Sequence, residues 1–157
     1  MAGVLTKRGL LRFLEMALRR TYNGGSLPTN LYLAVVTDDD TPSSGTQTMA
    51  DLTEIAAGNG YTAGGIALTP GAVDFDVLAE DPSNPVAYIQ MKDIQWTASG
   101  GTIPASGSAA RYFVLTDDNA TLANREVLAY WDMTADRVIP DGNYLKHEDG
   151  EIALGTV

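Results

Sequence analysis

The fold of this chain is decided by residues 85–157, where β-type runs alternate with turns at short intervals: VAYIQM (86–91), IQWTA (94–98), RYFVLT (111–116), EVLAYWDM (126–133) and PDGNYLKHEDGEIAL (140–154). Short apolar runs at this spacing predict an antiparallel β-sandwich or barrel. Such a scaffold can be wholly structural. The sequence therefore predicts a mainly β protein and gives little initial reason to expect an enzyme.

The composition is typical of one soluble globular domain spanning residues 1–157. At 16.6 kDa the chain is large enough to bury a core without staples. It has no cysteine, which excludes a disulfide framework, a thiol nucleophile and a cysteine zinc site. Its longest apolar run, residues 31–36, is far too short to cross a bilayer, and charged residues interrupt the N-terminal segment where a signal peptide would be apolar. We expect no membrane partner and no cofactor.

The charge is divided unevenly along the chain. Residues 1–20 hold five basic side chains and one acidic (+4), whereas the remaining 137 residues hold five basic and nineteen acidic side chains (−14). An acidic body of this kind repels nucleic acid. We therefore do not expect DNA or RNA as a partner.

Residues 6–22 predict an amphipathic α-helix. Thr6 suits the N-cap, the turn at residues 23–25 suits the end, and an apolar arc about 160° wide suits a helix lying on a sheet. The apolar arc comprises Leu10, Leu11, Phe13, Leu14, Ala17 and Leu18; the polar side carries Arg8, Arg12, Glu15 and Arg19. The basic stripe of Arg8, Arg12 and Arg19 has two interpretations: a solvated face with Glu15 paired to Arg19, or a surface that docks onto an acidic partner.

Residues 37–65 form a long loop rich in Asp, Thr, Ser, Gly and Pro, with a short helix predicted at 48–57. A loop of this length inside a compact domain usually has a function, so we expect it to contact a partner, and Asp38, Asp39 and Asp40 are its most charged stretch. After it, GIAL (65–68) and VDFDVL (73–78) predict two strands in the β-rich region 66–157. In the second strand the two aspartates are expected to point outward.

Two central strands are apolar on both faces, namely residues 112–115 and 127–131. One face can cover the core of a sandwich. The other needs the helix, a loop or a neighbouring subunit, and in a domain this small a neighbour is a serious alternative.

Several residue groups could carry chemistry, and for each a structural interpretation is favoured. Asp38–Asp40 and Asp117–Asn119 could ligate calcium, but they lack EF-hand spacing and suit ordinary turns. The glycine-rich residues 58–65 precede a strand rather than a helix, which argues against a phosphate loop. Asp74 and Asp76 could form a glycosidase pair but suit a solvated strand face.

A serine triad is not expected either. His147 is the single histidine, no G-x-S-x-G elbow exists, and Ser106 and Ser108 lie in a small-residue loop. Trp96, Tyr112 and Trp131 could present a carbohydrate platform, but two of them lie within dense apolar strands and suit the core. No catalytic or metal-binding residue is predicted.

Four segments resemble small virion proteins of tailed bacteriophages: TNLYLAVVT (29–37) after the opening helix, GNGYTAGGIALT (58–69), DIQWTASGGTIPASGSAARYFVLTDDN (93–119) and PDGNYLKHEDGEIALG (140–155). The resemblance covers most of the chain in loosely specified motifs. It implies a β-rich, multimeric, non-enzymatic component, described in that group as a capsid decoration or cement protein, a head fibre or a tail-fibre-like protein. The chain departs from the pattern in longer insertions at 38–59 and around 79–85.

The resulting hypothesis is a virion structural protein, made in the host cytoplasm, that binds and stabilises the head shell as a decoration protein. Its partners are then the major capsid protein or another virion protein, and further copies of itself; a trimer is expected by analogy alone. The alternatives are a neck, tail or tail-fibre-like component, a carbohydrate-binding module, and a regulatory protein that does not enter the particle.

Overall fold

The computed structural model of the chain describes residues 2–155. Within that range it contains ten strands, one α-helix and two short 3-10 turns. The elements are β1 (Val4–Leu5), α1 (Lys7–Arg19), β2 (Leu31–Val36), a 3-10 turn (Met49–Asp51), β3 (Ile66–Leu68), β4 (Val77–Glu80), β5 (Val86–Met91), β6 (Ile94–Thr97), β7 (Ala110–Thr116), a 3-10 turn (Leu122–Asn124), β8 (Val127–Arg137), β9 (Tyr144–His147) and β10 (Gly150–Gly155).

The strands form three antiparallel sheets. The largest has the order β1-β8-β7-β2-β3, a second has the order β10-β5-β4, and β6 pairs with β9. The prediction of a mainly β protein with one N-terminal helix is confirmed. Between the two architectures left open by the sequence, the sheets form an open, sandwich-like arrangement rather than a closed barrel.

The central strands β2, β7 and β8 are buried on both faces, as their sequences predict. One face contributes to the main core, around Leu33, Phe113 and Trp131. The other face forms a smaller cluster that is covered by Met49 and Leu52. Both covering residues belong to the loop at 37–65. The second apolar face is therefore covered by the chain itself.

The helix predicted at 48–57 is wrong except for the 3-10 turn at Met49–Asp51. The carboxylate of Asp51 accepts the backbone N–H groups of Gln47 and Thr48, which caps this turn. At Leu52 the backbone becomes extended (φ −134°, ψ 154°). The extended path lets Thr53 and Ile55 hydrogen-bond with the backbone beside β2, and a longer helix would forgo those bonds.

The strand predicted at 73–78 begins only at Val77, and its predicted alternation is wrong. Asp74 is buried, where it forms an ion pair with Lys92 and accepts the backbone N–H of Thr69. Val73, which that alternation would place on the face opposite the aspartates, is 82% exposed. The cause is a turn at 70–75 that rotates these side chains out of a strand's alternation.

Helix α1 is shorter than the predicted 6–22. Its start is confirmed: the Thr6 hydroxyl accepts the backbone N–H of Gly9. It ends at Arg19 because Arg20 adopts a left-handed conformation (φ 56°). The Glu15 carboxylate then accepts the backbone N–H groups of Asn23 and Gly24 and holds the chain in its turn.

Candidate interaction surface

Helix α1 lies on the body of the protein with its polar side, which is the reverse of the prediction. Gly9 packs against the backbone of Leu128, where a methyl group would overlap the carbonyl oxygen. Arg12 is only 5% exposed. Of the residues on or next to the apolar arc, Phe13 and Met16 are partly buried against the core. The expectation of an apolar face directed inward and a solvated arginine face is therefore wrong.

Arg12 holds the helix in this orientation through a nearly enclosed set of contacts. Its Nε and Nη2 atoms donate to the two carboxylate oxygens of Glu126, at 2.6 and 2.8 Å. Its remaining donors reach Glu15 at 2.7 Å and Asn23 at 2.8 Å, and its guanidinium lies 5.1 Å from the ring centre of Tyr22. A bidentate, charge-assisted pair of this kind fixes both distance and orientation.

The ionisation of this cluster follows from its burial and pairing. Burial acts to raise the pKa of the Glu126 carboxyl, but the hydrogen bonds and charge of Arg12, together with Tyr22 and the charge of Arg8, outweigh it and lower that pKa. The hydrogen bond to Glu126 raises the pKa of Arg12. Both groups are therefore charged at neutral pH, and the helix is anchored to β8 by a compensated ion pair.

The other predicted contact residues on the helix lie in different environments. Arg8 donates to Gln47 at 2.7 Å and forms an ion pair with Glu126 at 3.3 Å, so it also serves the fold. Arg19 is exposed, and the structure gives it no ion pair within residues 2–155. The predicted pairing of Arg19 with Glu15 is wrong, because Glu15 bonds Arg12 and the turn that follows the helix.

The outward side of α1 is a row of leucines, which we call the leucine ridge. It consists of Leu10, Leu11, Leu14 and Leu18, with exposed fractions of 42, 53, 58 and 80%. At about 100° per residue these four side chains span roughly 100° of the helix surface. The exposed cations Lys7 and Arg19 lie near its two ends. Exposed apolar surface gathered in this way is characteristic of an interaction site.

Beside the helix lies an apolar pocket of about 440 Å³. Among residues 2–155, Asp76 is the one charged residue that lines it, and Asp76 lies exposed directly after the 70–75 turn. The lining residues are Phe13, Met16, Leu27, Pro28, Leu31, Pro70, Gly71, Ala72, Phe75, Asp76, Leu78, Ile89 and Ile152. They come from the helix, the segment before β2, the 70–76 turn and the β10-β5-β4 sheet. Sequence reasoning missed this pocket because its walls are far apart along the chain.

Asp38, Asp39 and Asp40 lie exposed at the start of the long loop. Asp39 accepts the hydroxyls of Thr37 and Ser108, at 3.0 and 3.1 Å, and Asp40 accepts the hydroxyl of Thr53 at 2.7 Å. These bonds stabilise the loop, as the turn interpretation predicts. Their role in partner contact stays a prediction.

Asp117 belongs to a turn of the same type. Its Oδ1 accepts the backbone N–H groups of Asn119 and Glu126. Burial raises the pKa of this carboxyl. Within residues 2–155 no group of three or more histidine, aspartate or glutamate side chains is placed to hold a metal ion.

The structure places the remaining candidate residues in structural roles. The glycine-rich loop at 58–65 is a turn in which Gly58 and Tyr61 exchange backbone hydrogen bonds before β3 begins. Asp74 and Asp76 do not form a solvated pair, because Asp74 is buried against Lys92. His147 is fully buried, and no serine bonds to it within residues 2–155.

The aromatic residues considered as a carbohydrate platform lie in the interior. Trp96 and Trp131 belong to the main core, and Tyr112 belongs to the cluster beneath the long loop. This confirms the core interpretation. None of the three is exposed for stacking on a sugar.

Comparison of the sequence with protein-family models and with curated proteins found no match. Across residues 2–155, no helix is both long and apolar enough to span a membrane. The leucine ridge and the apolar pocket are thus the strongest site-like features that the described part of the chain presents.

Proposed function

We propose that this chain is a structural protein of a bacteriophage particle, with capsid decoration as its role. The observation that carries the proposal is the leucine ridge, which four leucines present to solvent on a domain whose interior is otherwise filled. A surface of this kind is costly for a solitary protein and useful for a subunit that is covered by another protein. The phage particle as the setting comes from the sequence resemblance.

The rest of the molecule suits a scaffold that holds subunits together. A decoration protein bridges neighbouring shell subunits against internal pressure, so it needs a rigid body and fixed contact surfaces. The sheets supply the body, and Arg12 with Glu126 fixes the helix upon it. The Asp38–Asp40 stretch and the exposed Asp76 turn offer further polar contacts outside the ridge.

Mass spectrometry of particles purified from the encoding virus tests the proposal. We expect the protein at hundreds of copies per particle, and particles that lack it should lose integrity at lower temperature or lower salt. A handful of copies would instead indicate a neck or tail position. Complete absence from purified particles would refute a virion role.

A further inference from the structure

The leucine ridge and the apolar pocket fit one another, and we propose that they form an interface between copies of this chain. The ridge of one copy lies over the pocket of another. This inference shares with the proposed function only the need for a protein partner. Its readout is the association of the purified chain, which is independent of any particle.

The exposed apolar area is large enough for a stable interface. The four ridge leucines, together with Leu27 at 48% and Leu78 at 78%, expose the equivalent of between three and four whole side chains. With about 120 Å² for each fully exposed aliphatic side chain, this amounts to roughly 400 Å². A standard interface buries about 800 Å² per partner, of which about 450–500 Å² is apolar. The exposed leucines of the two features therefore supply most of the apolar area that a standard interface buries.

The charges around the two features favour another copy over an unrelated apolar surface. The ridge lies between the exposed cations Lys7 and Arg19, and the single charged group that lines the pocket is the carboxylate of Asp76. With these groups included, residues 1–20 carry +4 and the remainder carries −14. The helix of one copy is thus attracted to the body of the next. Two ridges packed directly together would instead bring like charges close.

The ridge and the pocket also adjoin one another. Phe13 and Met16, which line the pocket, lie on α1 immediately beside the ridge. An aliphatic side chain such as Leu14 is the shape that an open pocket of about 440 Å³ admits. A partner's ridge seated over the pocket therefore also contacts Phe13 and Met16, the part of α1 that lines it.

Sedimentation velocity of the full chain between about 1 and 100 µM tests this proposal. We expect the wild type to associate, as a dimer or as a closed ring. Leu14→Asp should raise the dissociation constant by roughly 30-fold or more, because it places a charge at the centre of the apolar contact. Val138→Asp is the matched control: Val138 is 57% exposed but follows β8 at the end remote from the helix, and its substitution should leave association unchanged.

A second pair of variants tests the pocket and the charges. Asp76→Arg should weaken association, whereas Asp141→Arg, a reversal in the exposed turn between β8 and β9, should not. Arg19→Glu should also weaken association, and combining it with Asp76→Arg should restore part of the loss, because attraction is re-established with the signs exchanged. Thermal melting of each variant verifies that the fold is retained.

The outcomes are distinct. A wild-type chain that stays monomeric at 100 µM overturns the proposal, whether or not an apolar small molecule occupies the pocket. An oligomer that is unaffected by both Leu14→Asp and Asp76→Arg also overturns it. If the purified chain is monomeric but abundant in particles, the virion role stands and this interface fails. If the purified chain associates but is absent from particles, this interface stands and the virion role fails.

Discussion

The burial of His147 makes the free energy of unfolding of this protein depend on pH. His147 is the single histidine of the chain. Its ring is fully buried between the rings of Phe113 and Trp131, with centres 4.7 and 4.9 Å away. Neither ring nitrogen has a hydrogen-bond partner among residues 2–155. Burial therefore lowers the pKa of His147 to about 4, while the opposing attraction of Asp93 is weaker.

The size of the effect follows from the difference between the folded and unfolded states. An unfolded histidine has a pKa of about 6.5, so below that pH the unfolded chain takes up a proton that the folded chain refuses. The free energy of unfolding should fall by about 2 kcal/mol between pH 7.5 and 5, and by about 3 kcal/mol at pH 4. Stability is thus fully present above pH 6.5 and is lost as the pH falls through the folded pKa.

Urea denaturation followed by tryptophan fluorescence at half-unit steps from pH 7.5 to 4.5 measures this slope. His147→Leu is the comparison, because it fills a similar volume and does not titrate. The variant should be nearly flat over the range in which the wild type loses stability. The comparison also cancels Asp117, whose raised carboxyl pKa acts in the opposite direction in both proteins.

A wild-type chain whose unfolding free energy is constant from pH 6.5 to 4.5 would refute the reasoning. So would a His147→Leu variant that keeps the wild-type slope, since the proton uptake would then belong to other groups. Carboxylates with lowered pKa values, such as Asp81 and Asp93, lose their contribution only at lower pH. Their titration therefore does not imitate the expected result.

Three further substitutions test the anchoring of the helix and the loop, each by urea denaturation. Gly9→Ala should lower the unfolding free energy by roughly 1–3 kcal/mol, because its methyl group overlaps a carbonyl of β8. This loss is net of the preference of about 1 kcal/mol that alanine has for a helix. A stabilised variant contradicts the close packing. Arg12→Met should cost about 3 kcal/mol, because Glu126 then keeps only its longer ion pair with Arg8, and adding Glu126→Met should recover much of it; a double variant no more stable than the single one contradicts this account. Tyr61→Phe should cost about 1–3 kcal/mol, since its buried hydroxyl donates to Glu54 at 2.6 Å; an unchanged midpoint argues against that bond.

The strands were predictable from sequence because each is a local pattern. The runs in residues 86–154 carry β-branched and aromatic residues between turns, and all of them became strands. The N-cap at Thr6 was predictable for the same reason. These features need no knowledge of what lies across the molecule.

The orientation of α1 was not predictable, because it depends on contacts between distant residues. Arg12 reaches Glu126 across 114 positions of sequence, and Gly9 meets the backbone of Leu128. A helical pattern reveals an apolar side but does not reveal a polar anchor for the opposite side. The burial of Asp74 was not predictable for the same reason, since its partner Lys92 belongs to a later segment.

The composition of α1 suits a helix that covers a sheet, and the composition of the long loop suits solvent. In the structure the loop covers the strands and the leucines of α1 face solvent, and the first arrangement explains the second. The central strands have two apolar faces. The smaller sheets cover part of one face, and Met49 and Leu52 of the polar loop cover the other. Once the loop occupies that face, the open apolar surface beside α1 within residues 2–155 is the pocket, and Phe13 and Met16 of the helix already line it. Turning the helix to bury the leucines would also remove Arg12 from Glu126 and Gly9 from its contact with β8. The leucine ridge is therefore a fixed feature of the folded chain, and the interface proposed above would cover it.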